Sequence, residues 1–234
     1  MEIRSNTELP SVREDIELQT EDGQTLVGEL ATPVTGSPTC TLITLHPLPT
    51  HGGFMDSHLL RKAANRLPHM IGAAVLRFNT RGTESPRGKS TGDFDGGGAE
   101  RHDVAAAVEF VKQRNLPKPW LVGWSFGTEL AIKYGPEHDI AGAILLSPPL
   151  HRATPEELMR WNEFARPLIA LVPELDEFLA PAEAAQKFAV VPHAQVLAFD
   201  GEKHLWVGEG ATRRVLNQIA ETVRPGSTPL PTEI

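Results

Sequence analysis

A serine between two glycines is the feature of this sequence that most directly suggests chemistry. Residues 123–127 read Gly-Trp-Ser-Phe-Gly, a GxSxG pattern in which the serine occupies a sharp turn between a strand and a helix. The apolar run WLVG precedes Ser125, and the helix-compatible segment TELAIKY follows it. This context predicts that the strained turn exposes the hydroxyl of Ser125 as a nucleophile. A glycine-rich turn without chemistry is the alternative that the motif alone leaves open.

Histidine is the side chain best suited to take the proton of such a serine, since its ordinary pKa of about 6.5 lies near neutrality. The chain has nine histidines, and sites built on GxSxG turns place the serine, the acid and the histidine in that order. This order retains His138, His151, His193 and His204. We favour His204 as general base because it follows the last predicted strand in the loop DGEKHLW; a surface histidine is the plainer alternative.

The carboxylate that orients the histidine is expected in the loop after the preceding strand. The sequence there reads PLIALVPELDEFLAP and offers Glu174, Asp176 and Glu177. We predict Asp176 as the acid, because it is the middle of a short exposed turn. Asp200 is the second choice, whereas Asp139 precedes its strand and therefore lies at the wrong end of a parallel sheet. Solvated loop carboxylates remain the alternative.

Acyl transfer also requires N–H donors for the oxyanion of the tetrahedral intermediate. One donor is usually the amide that follows the nucleophile, and the second comes from the loop after the third strand. The first is Phe126. In the second loop Pro47 and Pro49 have no amide hydrogen, so the sequence favours the amide of Leu48.

Two further side chains near these loops are candidates for a substrate pocket, Trp124 and His46. Packing in the protein interior is the alternative for Trp124. A metal site formed by His46 with His51 or His58 is disfavoured, since these histidines lie in a loop at irregular spacing rather than on a helix. The sequence therefore predicts chemistry without a metal or other cofactor.

Short hydrophobic segments along the chain predict eight strands. Two early stretches alternate as half-buried antiparallel strands do, and six later runs are continuously apolar, as in parallel strands buried on both faces. The predicted strands are 11–20, 24–32, 40–45, 73–78, 120–123, 141–146, 167–172 and 194–199. Helical patterns fall at 57–67, 100–114, 126–134, 181–188 and 210–223. Strands that alternate with helices predict an α/β fold with a mostly parallel sheet flanked by helices.

The length of 234 residues fits one domain, which we place at residues 1–224. Residues 147–166 provide only one short helix punctuated by prolines, so we expect a minimal lid or none. The proline-rich segment 225–234 is expected to be loosely ordered or weakly packed. The single cysteine, Cys40, lies in an apolar run and is interpreted as a buried packing residue.

Charge and hydropathy narrow the classes of partner. The formal net charge is −8, and the basic residues form no stripe of the kind that follows a phosphate backbone. The first residues contain acidic groups and no apolar core of a signal peptide, and no apolar run has the length of a membrane span. We therefore expect a cytoplasmic protein with a small-molecule substrate and no nucleic acid or membrane partner.

Together these motifs resemble a compact, lidless group of bacterial α/β-hydrolases. The segments that carry the resemblance are LHPLPTHGGFMDSHLLRKAANRL, LRFNTRGTESPRG, DFDGGGAERHDVAAAVEFV, GWSFG, ELDEF and GEKHLW. The resemblance extends from about Thr20 to Val223 and implies an α/β-hydrolase fold with an esterase-like serine hydrolase activity. Dienelactone hydrolases are similar in fold but use a cysteine nucleophile. The sequence departs from the HPHPLxGG pattern of the group at residues 47–51.

The favoured function is hydrolysis of small carboxylic acyl esters through an acyl-enzyme on Ser125, with His204 as base and Asp176 as orienting acid. Amide or peptide hydrolysis and acyl transfer would use the same residues on a different substrate or acceptor. A binding protein that retained the fold without catalysis is the alternative from another class.

Overall fold

The computed structural model describes residues 2–234. This part of the chain is built on an eight-stranded sheet, and its strands in chain order are β1 (Val12–Gln19), β2 (Thr25–Thr32), β3 (Cys40–Leu45), β4 (Ala73–Phe78), β5 (Pro119–Trp124), β6 (Gly142–Leu146), β7 (Leu168–Pro173) and β8 (Gln195–Phe199). The spatial order is β1-β2-β4-β3-β5-β6-β7-β8. β2 pairs antiparallel with β1 and β4, and all other neighbours are parallel. The predicted mostly parallel sheet is confirmed.

Helices cover both faces of the sheet. Across residues 2–234 they are α1 (His58–Ile71), α2 (Glu100–Gln113), α3 (Phe126–Tyr134), α4 (Pro155–Phe164), α5 (Pro181–Phe188) and α6 (Glu209–Val223). Apolar side chains of α1 and α6 pack in one core layer, and those of α2 to α5 pack in the other. Because apolar layers lie on both faces, the central strands β3, β4 and β6 are buried at every residue, which explains their continuous apolar sequences.

The parallel strands deliver their following loops to one edge of the sheet. Leu45 at the end of β3 pairs with Gly123 of β5, Trp124 at the end of β5 pairs with Leu146 of β6, and Phe199 at the end of β8 pairs with Pro173 of β7. Loops at the carboxyl ends of such strands are the usual place for ligands and catalytic groups in open α/β sheets. The predicted site residues all belong to these loops or to the strand residues next to them.

One helix extends beyond its sequence pattern, and another lies where a single short helix was predicted. α1 continues through Pro68 to Ile71, although proline normally ends a helix. Its last turn buries Pro68 and Ile71 in the protein interior, and Gly72 ends it with a positive φ of 69°, so packing outweighs the lost hydrogen bond. α4 occupies the short segment between β6 and β7, where Thr154 and Glu157 form a capping box. Only this helix of ten residues stands where a lid domain would be inserted.

The C-terminal segment packs more specifically than its proline-rich composition predicts. The side chain of Leu230 is buried, and its N–H donates to the Asn217 side chain at 2.7 Å. The N–H of Ile3 donates to the carbonyl of Thr232 at 2.8 Å. The buried Leu230 side chain and these hydrogen bonds attach the C-terminal segment to the rest of the protein, although the segment has few other apolar residues. Among residues 2–234, no helix combines the length and apolar character required to cross a bilayer.

Candidate active site

The turn that carries Ser125 is strained and closely packed. Ser125 has φ 52° and ψ −114°, a conformation that non-glycine residues rarely adopt, and its N–H donates to the carbonyl of Leu146 at 2.9 Å. The flanking glycines make the turn possible. A Cβ at Gly123 would lie 2.4 Å from the carbonyl oxygen of Gly127, and one at Gly127 would lie 2.0 Å from that of Leu45. Strand, turn and helix therefore approach too closely for any side chain at these two positions.

Three side chains from separate loops form a hydrogen-bonded chain. The Oγ of Ser125 lies 2.9 Å from Nε2 of His204, and Nδ1 of His204 lies 2.9 and 3.0 Å from the two oxygens of Asp176. An ionised carboxylate only accepts hydrogen bonds, so the proton of the neutral imidazole is on Nδ1. Nε2 is then left to accept the proton of the Ser125 hydroxyl. The structure thus brings together the serine, base and acid that the sequence predicted.

The Asp176 side chain is held by other contacts in addition to its hydrogen bonds with the imidazole of His204. Asp176 follows β7, and its side chain is 2% exposed. Its Oδ1 also accepts the N–H of Phe178 at 2.9 Å, and the Phe178 ring lies 4.5 Å from the His204 ring. The side chain of Asp200, the second choice, forms no hydrogen bond with His204; the Asp200 carbonyl accepts from Arg214 at the surface. The geometry therefore supports Asp176 and not Asp200.

The backbone of His204 is held by side chains that the sequence analysis did not single out for this role. Its carbonyl accepts from Nε1 of Trp124 at 3.2 Å and from Oγ of Ser147 at 3.0 Å. Ser147 in turn accepts from Nε1 of Trp206 at 2.8 Å. Nε2 of His58 donates to the next carbonyl in the same loop at 2.8 Å. These hydrogen bonds fix the loop that carries His204 and so hold its imidazole between Ser125 and Asp176.

A small pocket of about 80 Å³ opens above Ser125. Its lining includes both residues predicted to supply oxyanion donors, Phe126 and Leu48. Phe126 is the first residue of α3, where N–H groups have no partner within the helix and the helix dipole favours negative charge. The remaining lining residues are Pro149, His151, Arg152 and Phe178.

Comparison with known proteins agrees with this architecture. The family model described as alpha/beta hydrolase fold matches residues 49–210, which is more than half of the chain. This chain belongs to the α/β-hydrolase family. An uncharacterized protein of Rickettsia prowazekii is 32% identical over 112 residues, which are 47% of this chain and 45% of that protein. The chain thus spans about half the length of the curated relative it matches.

Solved structures give the same fold over nearly the whole chain. An α/β serine hydrolase homologue from Coxiella burnetii is 25% identical with a TM-score of 0.74, covering 89% of this chain and 96% of that one. A lidless α/β serine hydrolase from Xanthomonas campestris is 23% identical with a TM-score of 0.75, covering 96% and 100%. An esterase from Pyrococcus furiosus is 18% identical with a TM-score of 0.76, covering 93% and 92%. The last two likenesses bear on the fold alone.

The two side chains predicted for the substrate pocket of this member of the α/β-hydrolase family lie elsewhere. Trp124 is buried beneath the His204 loop, where its ring also meets the edge of the His58 ring. His46 is 1% exposed; its Nδ1 bonds the carbonyl of Pro47 at 2.7 Å, and its Nε2 accepts from the amide of Thr80 at 3.1 Å. Both predictions are wrong because side chains near a strand end can point into the fold as well as into the cleft. His46 is a buried hydrogen-bonding group that links the loop after β3 to Thr80.

Burial of His46 predicts a loss of stability in acid. Burial lowers its pKa from 6.5 to about 4, against the opposing effect of its bond to Pro47. The unfolded chain therefore binds a proton at this position below about pH 6.5, whereas the folded protein resists it until about pH 4. Between these values the unfolding free energy of the wild type should fall by about 3 kcal/mol more than that of His46→Gln. Denaturant unfolding at both pH values measures the difference.

The control for this experiment is the exposed His69. His69→Gln should retain the acid sensitivity of the wild type, because it removes an exposed side chain and leaves His46 buried in the fold. An equal pH dependence in the wild type and His46→Gln would show that His46 does not stay neutral in the fold.

Proposed function

We propose that this α/β-hydrolase is a carboxylic ester hydrolase that acts on small acyl esters through a covalent intermediate on Ser125. The observation that carries the proposal is the continuous chain of hydrogen bonds from Ser125 Oγ through His204 to Asp176. A hydroxyl in contact with the free nitrogen of an oriented, buried imidazole is arranged for general-base activation. A binding protein would not require this alignment.

In the acylation step, Ser125 Oγ attacks the ester carbonyl carbon while Nε2 of His204 takes its proton. The carbonyl oxygen becomes an oxyanion, which accepts hydrogen bonds from the amides of Phe126 and Leu48 in this proposal. His204 then donates the proton to the leaving alcohol as the acyl C–O bond breaks. Asp176 holds the imidazole in the correct tautomer and stabilises its cationic form.

In the deacylation step, a water molecule takes the place of the alcohol. His204 accepts a proton from this water, whose oxygen attacks the acyl-enzyme carbonyl. Collapse of the second tetrahedral intermediate breaks the bond to Ser125 Oγ, and the proton returns from His204 to the serine. The products are one carboxylic acid, one alcohol and the free enzyme.

The size of the pocket supports short acyl groups. The pocket is small, about 80 Å³, and open to solvent, and the segment where a lid domain would be inserted contains only the ten-residue helix α4. Long acyl chains would extend into solvent and gain little from burial. We therefore expect p-nitrophenyl butyrate to be hydrolysed with a higher kcat/KM than p-nitrophenyl palmitate.

Labelling with a fluorophosphonate probe tests the proposal, because such probes react with activated serines. The folded wild type should gain one adduct per chain by intact mass, mapped to Ser125 by peptide analysis. Ser125→Ala and His204→Gln should gain none, whereas Ser37→Ala, which removes an exposed serine far along the chain from the motif, should be labelled normally. Absence of an adduct on folded wild type would favour a non-catalytic binding protein.

A further inference from the structure

A single arginine lies at the mouth of the Ser125 pocket. Arg152 lines the pocket, and its guanidinium carbon lies 5.6 Å from the centre of the Phe126 ring. No acidic residue lines the same pocket. Within residues 2–234, no carboxylate forms an ion pair with Arg152. The pocket therefore contains a positively charged side chain that forms no ion pair with a carboxylate of residues 2–234.

The arginines in the interior of the protein behave differently. Arg77 is fully buried and pairs with both Glu29 and Asp56. Arg81 pairs with Asp22 and Asp103. Burying a guanidinium is costly unless a carboxylate compensates its charge. Arg152 is half-buried and has no such compensation, so a ligand anion in the pocket would be its natural partner.

The loop that carries Arg152 is fixed relative to the nucleophile. The buried carboxylate of Glu129 accepts the backbone N–H groups of His151 at 2.7 Å, Arg152 at 3.1 Å and Ala153 at 2.5 Å. Glu129 belongs to α3, the helix that begins directly after Ser125. One helix thus anchors the nucleophile turn, the Phe126 amide and the backbone of Arg152. Such preorganisation reduces the entropy lost when a ligand binds.

Contact with the Phe126 ring does not use the hydrogen-bonding capacity of the guanidinium. A cation over an aromatic face is stabilised through the ring quadrupole, while the N–H donors of arginine lie in the guanidinium plane. Two of these donors match the two oxygens of a carboxylate. The Phe126 ring can therefore support Arg152 while its donors remain available to a ligand in the pocket.

We infer that Arg152 gives this enzyme a preference for anionic esters, in which a carboxylate lies a few bonds from the scissile carbonyl. The inference rests on the proposed function and specifies its substrate class. The carboxylate belongs either to the acyl group, as in a monoester of a short dicarboxylic acid, or to the alcohol. It takes no part in bond making or breaking, and the ester C–O bond is cleaved as described above.

Isosteric pairs of esters provide the test. Monoethyl glutarate and its neutral amide counterpart, ethyl 5-amino-5-oxopentanoate, differ only in the charge of the acyl end. The pair 4-acetoxybutanoate and 4-acetoxybutanamide places the same difference on the alcohol. For at least one pair, the wild type should hydrolyse the anionic member with a kcat/KM about tenfold to a hundredfold higher than the neutral member, as expected for a charged hydrogen-bonded pair. The pair that shows this preference identifies whether the carboxylate is recognised on the acyl group or on the alcohol.

Variants of two arginines assign the preference to a residue. Arg152→Gln should bring the kcat/KM ratio of the preferring pair to about one. Arg166→Gln is the matched control: it removes the same charge from an exposed arginine that also lies over a phenylalanine, Phe164, outside the pocket. Its ratio should equal that of the wild type, since a distant surface charge is screened by salt.

The outcomes separate this inference from the proposed function. Turnover of both members of each pair with ratios near one would overturn the anion preference and leave the ester hydrolase proposal intact. A preference that survives in Arg152→Gln would also overturn the inference. Absence of turnover together with absence of phosphonate labelling would overturn the proposed function itself.

Discussion

Asp176→Asn is expected to lower kcat for ester hydrolysis by about ten-thousandfold, the loss found when the acid that orients a catalytic histidine is replaced by its amide. The Nδ1–H of His204 donates to the Asp176 carboxylate. Asparagine can present its NH2 group to Nδ1, which favours the tautomer with the proton on Nε2. That nitrogen then cannot accept the proton of Ser125, although the shape of the site is almost unchanged.

Asp200→Asn is the matched control, because it makes the same chemical change in the same part of the chain. The Asp200 side chain forms no hydrogen bond with Ser125 or His204, so kcat should stay within about twofold of the wild type. Initial rates with p-nitrophenyl butyrate measure both variants, and circular dichroism checks that each is folded. Near-normal turnover by Asp176→Asn, or a comparable loss in Asp200→Asn, would show that the acid has been misassigned.

The sequence predicts the strands because each strand must meet a local constraint on its own residues. It predicts the order of the site residues because that order follows the order of the strands. A strand buried on both faces must be continuously apolar, so CTLITL and AAVLRF are recognisable without any partner. The Gly123 and Gly127 positions are constrained by contacts within one turn and its adjacent strand. His204 is predicted because its loop follows the last strand, and the sheet topology brings that loop to the edge where Ser125 lies.

The side chains around the site are less predictable, since their contacts join distant parts of the chain. The hydrogen bond from Trp124 to His204 joins the end of β5 to the loop after β8, and the bond from Trp206 joins that loop to Ser147, which follows β6. Trp124 and His46 both precede site loops, yet both point into the fold. Arg152 lies at the Ser125 pocket because the carboxylate of Glu129, in α3, accepts hydrogen bonds from the backbone of its loop. No short sequence pattern encodes these approaches.

Gly127→Ala should be the substitution that most directly damages the nucleophile turn. The new Cβ would lie 2.0 Å from the carbonyl oxygen and 2.5 Å from the carbonyl carbon of Leu45, both of which are backbone atoms of β3. Rotation of a side chain cannot relieve this contact, so α3 must move away from the sheet. We expect a stability loss of about 3 kcal/mol or more, at the upper end for overpacked cores, together with a fall in kcat of about a hundredfold or more.

Gly210→Ala provides the comparison that separates this clash from a general effect of replacing glycine. Gly210 lies in the first turn of α6, and a Cβ there would meet nothing within 4 Å. Alanine should therefore keep normal activity and stabilise the helix by about 0.5 to 1 kcal/mol. Denaturant unfolding and phosphonate labelling should be compared for both variants. Because β3 leads into the Leu48 loop and α3 begins at Phe126, separating them also separates the two amides proposed as oxyanion donors. A Gly127→Ala protein with normal stability and labelling would show that the turn that carries Ser125 is less tightly packed than these contacts require.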